Sequence, residues 1–143
     1  MESLNYLVIS EHGLAFRVMP DESVSKLKFM QALVDGLIER VPYHGHDGVD
    51  CWVNEEGMMR GMNVNITASI ICNHMIAGTA IFAGTDGEDI TPCPEDFIKS
   101  LTRDGLAIEN FGLLPDGSGR REAFEYDDVI RIIKADNEEV QNA

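Results

Sequence analysis

The sequence predicts an α+β fold: a small, mainly antiparallel sheet with one long amphipathic helix on a face and shorter helices in the C-terminal part. Three observations predict it. Tyr6-Leu7-Val8-Ile9-Ser10 and Leu14-Ala15-Phe16-Arg17-Val18-Met19 are runs of β-forming residues on either side of His12-Gly13, the pattern of a hairpin. Val24, Leu27, Met30, Leu33, Val34, Leu37, Ile38 and Val41 recur at the three- and four-residue spacing of a helical face. A later helix start, Thr91-Pro92-Cys93-Pro94-Glu95-Asp96, puts proline and acids in a first turn, ahead of Phe97, Ile98 and Leu101.

Each element follows from local chemistry. Pro20-Asp21 ends the second strand, and Asp21 or Ser23 caps the helix that follows. That helix is expected to run from about Ser23 to Val41, where Pro42 stops it. Gly36 inside it disfavours helix, which points to close packing there. Val49-Asp50-Cys51-Trp52-Val53 reads as a strand, and Asn54-Glu55-Glu56-Gly57 as its turn, with Gly57 at positive φ. Met58 to Met62 is expected to return as a short strand, Asn65 to Ile71 to form helical turns, and Met75 to Phe82 to form a buried strand. Gly105 ends the later helix, and Asp127 to Lys134 fits either helix or strand. Residues 1–135 are read as one domain, and 136–143 as a polar, fraying tail.

Composition narrows the function. Of 143 residues, 44% are apolar, enough for a core, and the net charge of -14 opposes binding to a phosphate backbone. Direct binding of duplex DNA is therefore not expected. The acidity is concentrated in residues 84–143, which hold 15 acids against 6 bases. No apolar run reaches the roughly 20 residues of a membrane span, and the N-terminal residues lack the pattern of a signal peptide. Three cysteines, Cys51, Cys72 and Cys93, without paired spacing suit reduced thiols in the cytoplasm.

The order of elements and a set of short blocks resemble the domain of unknown function 3846 family, known from bacteriophages and mobile elements. The blocks are Ala32-Leu33-Val34-Asp35-Gly36-Leu37-Ile38-Glu39, then Val53-Asn54-Glu55-Glu56-Gly57, then Gly61 with Asn63 or Asn65 and Ala68, then Ile76-Ala77-Gly78-Thr79-Ala80. They cover roughly residues 4–84. The chain departs from the family pattern in having Met62-Asn63-Val64-Asn65 where a Leu-Pro-x-Asn stretch is common. The resemblance implies a phage context and an α+β fold, and it supplies no activity and no catalytic residues.

Candidate chemistry is sparse. His44, His46 and Asp47 share a glycine-flanked loop and could hold a metal, although a solvated polar loop is the favoured reading. Asn54, Glu55 and Glu56, with Asn63 and Asn65, offer carboxylates and amides that could contact a cation or a nucleotide; the competing readings are a hairpin turn and helix caps. Glu122, Glu125, Asp127 and Asp128 form the densest acidic stretch, a surface for a basic partner. The cysteines suit a core better than a nucleophile's position, and none of the common nucleotide, hydrolase or zinc-protease motifs is present. No cofactor is implied. The leading expectation is a non-enzymatic phage-type protein that binds a host or phage macromolecule, for instance by inhibiting a nucleic-acid-handling or defence protein. A module for a nucleotide or nucleotide-like signal comes second, and a metal-dependent enzyme last.

Overall fold

The computed structural model describes residues 5–19, 23–111, 130, 131 and 133–136. Tyr6–Ile9 (β1) and Ala15–Val18 (β2) form the expected hairpin. Its turn is closed by Ser10, whose amide donates to the Leu14 carbonyl at 2.7 Å and whose hydroxyl accepts from the Leu14 amide at 3.1 Å. After Lys26–Val34 (α1) come Ile38–Val41 (β3), Val49–Asn54 (β4), Ile66–Cys72 (α2), Ala80–Asp86 (β5), Asp89–Thr91 (β6), Glu95–Arg103 (α3) and Ile108–Phe111 (β7). Residues 130, 131 and 133–136 are helical.

The strands form one sheet in the order β3-β4-β5-β1-β2-β7, with β6 beside β5. All strand pairs are antiparallel except β2 with β7, which run parallel. Both faces of the sheet are covered. Leu7, Ile9, Ala80, Phe82, Cys51 and Val53 point to the face that carries α2 and α3. Tyr6, Val8, Phe16 and Ile81 point to the face that carries α1 and Ile133. Two buried faces explain why β1 and the start of β5 read as unbroken apolar runs instead of alternating ones.

The long helix expected from Ser23 to Val41 is two elements. The helix α1 spans nine residues and is capped by Ser25, whose hydroxyl accepts from the Lys28 amide at 3.2 Å. It ends at Asp35, in the left-handed region at φ 59°. The chain then turns through Gly36 and enters β3, which pairs with β4 in the register Ile38↔Asn54 to Val41↔Cys51. Leu37, Ile38 and Val41 therefore lie beyond the helix, and Leu27 and Leu37 are exposed. The apolar spacing happens to continue across the break, and the β-branched Ile38 and Val41 serve the strand.

Smaller corrections follow the same logic. Met58 to Met62 is a pair of tight turns, in which the Arg60 amide donates to the Glu56 carbonyl and the Met62 amide to the Gly57 carbonyl. The strand expected from Met75 is β5, beginning at Ala80 and continuing through Gly84. Met75 to Thr79 is an approach segment that buries Ile76 in the core and makes an isolated bridge, Val64↔Ala77. Asp136, expected to fray, accepts a hydrogen bond from the Ser10 hydroxyl at 2.5 Å.

Candidate functional site

The asparagines singled out in the sequence lie in two different environments. Asn54 is buried at the end of β4. Its amide nitrogen donates to the carbonyls of Val34 (3.0 Å) and Asp35 (3.1 Å), and its side-chain oxygen accepts from the Glu56 amide at 2.7 Å. It thus fastens the C-terminal end of α1 to the turn after β4. A Cβ at Gly36 would lie 2.6 Å from that amide nitrogen, so the glycine is needed for the close approach. Glu55 and Glu56 point to solvent. Gly57 lacks the expected positive φ; its hydrogen side chain matters because a Cβ there would lie 2.8 Å from the Ala77 carbonyl oxygen.

Asn65 is wholly buried and does three things at once. Its side-chain oxygen caps α2 by accepting from the Ala68 amide at 3.0 Å. Its amide nitrogen donates to the Ile9 carbonyl at 3.0 Å and to the Gly78 carbonyl at 2.9 Å. Both N–H donors of the amide are consumed inside the protein. Asn54 and Asn65 are therefore latches of the scaffold, and Asn63, Glu55 and Glu56 are the members of that candidate set that face solvent.

His44 and Asp47 are exposed, and His46 packs edge-on against Phe97 with ring centroids 5.6 Å apart. The His46 Nδ1 lies 2.9 Å from the Asp47 carbonyl oxygen. Among the described residues, no three histidine, cysteine or acidic side chains are grouped to hold a metal ion. Glu122, Glu125, Asp127 and Asp128 lie outside the described residues. The cysteines are free and buried. Burial pushes the Cys93 thiol up, and Cys51 is raised by its hydrogen bond with Cys72 and by burial.

Two further features emerge from the fold. The first is a cleft of about 430 Å³ at the hairpin turn, walled by the end of α1, the Arg60–Met62 turn, Gly78-Thr79, Ile130, Ile133 and Lys134. Glu11 lines it with its side chain only 5% exposed. One carboxylate oxygen, Oε1, is approached by His12 Nε2 at 3.3 Å and by Asn63 Nδ2 at 3.4 Å. At the rim, the Arg60 guanidinium donates to the Asp35 carbonyl at 2.6 Å and lies 3.4 Å from its carboxylate. The only signal in the sequence was an acid and a histidine inside a tight turn between two apolar strands.

The second feature is a set of exposed apolar side chains between residues 58 and 75. Ile66 and Ile70 stand one turn apart on α2, 68% and 75% exposed. Val64 is exposed before them, and Met58, Met59 and Met75 line a small groove beside Glu39 and His74. Methionine usually fills cores, but Met58, Met59 and Met75 are exposed.

Taken together, these features define a small α+β domain whose most recognisable polar residues brace its own turns. The family model "Domain of unknown function (DUF3846)" matches residues 4–105, and the chain belongs to that family. No curated protein and no solved structure matches it. No helix among the described residues is long and apolar enough to cross a membrane.

Proposed function

We propose that the chain is a non-enzymatic binding protein of phage or mobile-element origin that docks on a basic host or phage protein in the cytoplasm. The observation that carries this reading is the surface of residues 58–75, where Ile66, Ile70, Met58, Met59 and Met75 stand in water without a folding reason. Clustered exposed apolar side chains mark interaction surfaces, and methionine adapts to irregular partners. The net charge of -14 supplies the second half of the argument, because it accelerates encounter with a positively charged protein. The acidic stretch of Glu122, Glu125, Asp127 and Asp128 belongs to the steering part of this reading.

The test is affinity capture from the host cytoplasm with the wild type and with the double variant Ile66→Asp/Ile70→Asp. The wild type is expected to retain a defined basic protein that the variant loses while keeping its melting temperature. A partner held equally by both would remove the apolar surface from the mechanism. Asp127→Asn/Asp128→Asn should slow association at low salt and leave dissociation nearly unchanged, because steering is screened by ions.

A further inference from the structure

We propose that the cleft at Glu11 binds a small molecule that ends in an alkylammonium or guanidinium group and carries a negative group at its far end. That is the chemistry of free lysine or arginine, and of a peptide ending in either.

The Glu11 side chain is 95% removed from water by its 5% exposure, and it lines the cleft. A carboxylate offers about four lone-pair sites. Two contacts at 3.3 and 3.4 Å approach Oε1, and both are long. Among the described residues, no donor reaches Oε2, and no lysine or arginine pairs with the group. Buried charges in proteins are paired. A cationic group entering from the cleft would add a donor at Oε2 and a full positive charge beside the weak contacts of His12 and Asn63.

The walls select the rest of the ligand. Leu33, Met62, Ile130 and Ile133 present apolar surface to the cleft, which suits a methylene stem. Arg60 is already engaged by Asp35, so that pair is neutral on its own. Lys134 also lines the cleft and is exposed. A dication would meet Lys134 unfavourably, whereas a carboxylate at the far end would be attracted to it. A cleft of about 430 Å³ is in the range of small-molecule sites. The proposal does not rest on the docking surface, and its test needs no partner protein.

The experiment is calorimetric titration of the whole protein with L-arginine, L-lysine, putrescine and the tripeptide Gly-Gly-Arg. Arginine or lysine should bind saturably and more tightly than putrescine. Glu11→Gln should weaken them by about tenfold or more, as loss of a charge-assisted contact implies. Lys134→Gln should weaken the zwitterions and spare putrescine. Tighter binding of the tripeptide than of arginine would assign the source to a peptide terminus, and the reverse to a free amino acid. Failure of all four to bind the wild type, or equal binding by Glu11→Gln, would overturn the proposal. Amide shifts in the wild type add a check that needs no variant: arginine should move Gly61, Gly78 and Thr79, and shifts confined to other regions would refute the site.

Discussion

The helices α1 and α2 are built alike and used differently. Each begins on a side chain that accepts from a backbone amide three residues on, Ser25 for α1 and Asn65 for α2. Each ends on a non-glycine residue in the left-handed region, Asp35 and Asn73. Yet α1 directs Phe29, Met30, Leu33 and Val34 into the core, while α2 buries only Ala68 and Cys72. Ile71 packs partly against the core, whereas Ile66 and Ile70 face outward. Folding accounts for the apolar content of α1 apart from the exposed Leu27. It leaves Ile66 and Ile70 of α2 unexplained, because Ala68, Cys72 and the partly buried Ile71 already hold α2 against the sheet. The difference separates side chains kept for stability from side chains kept for contact.

The sharpest way to break this comparison is to truncate the buried side. Leu33→Ala should destabilise the protein by about 2–5 kcal/mol, the range for a leucine deleted from a packed core. Chemical denaturation reads it directly. A midpoint equal to that of the wild type would mean that α1 is no more essential to the core than α2.

Next in size is the latch that holds α2. Asn65→Asp keeps an acceptor able to cap the helix but cannot donate to the Ile9 and Gly78 carbonyls. Buried acceptors left without donors cost about 1–3 kcal/mol. If Asn65 were only a cap, the aspartate would be almost neutral. Equal stability of Asn65→Asp and wild type would therefore reduce this residue to its capping role.

How much of this was legible beforehand depended on whether the signal was local. The hairpin, the Asn54 turn, the α2 segment and the start of α3 could be read because a few adjacent residues fix them. The break at Asp35-Gly36 could not, because Leu37, Ile38 and Val41 continue the helical spacing while serving as a link and a strand. The family blocks drew attention to Asn54 and Asn65, but their role depends on carbonyls 20 and 56 residues away that only the fold brings near. Glu11 was invisible for the same reason. Nothing about a single acid in a turn says that Gly78-Thr79 and Lys134 will enclose it.

A pH prediction contrasts the two faces of the sheet, since all three thiols lie on the side of α2 and α3. Cys93 keeps its proton in the native protein well above the ordinary thiol value of 9.0, chiefly because it is buried and secondarily because Glu95 is near. The unfolded chain loses that proton first. The contribution is therefore complete below about pH 9 and declines as the pH rises further, by up to about 1.4 kcal/mol per pH unit for one group. Cys51 is shifted in the same direction, while its partner Cys72 is shifted down, so Cys93 is the cleaner reporter. Unfolding midpoints at pH 8, 9 and 10 should fall more steeply in the wild type than in Cys93→Ala. Parallel curves would show that Cys93 does not sense its burial.

The smallest expected effect tests the other half of the comparison. Ile70→Asp removes a β-branched residue that is 75% exposed from a short helix and puts a charge in its place. Substitutions on such a surface change stability by about 0.5 kcal/mol or less. The aspartate lies late in α2, where the helix dipole opposes a negative charge, so a slight loss is expected in place of a gain. A loss as large as that of Leu33→Ala would mean that Ile70 is covered in solution, and α2 would then join α1 as an ordinary core helix. A near-neutral result keeps the two helices distinct. It also makes Ile70→Asp a clean probe of binding, since any partner lost with this change is lost through the surface and not through unfolding.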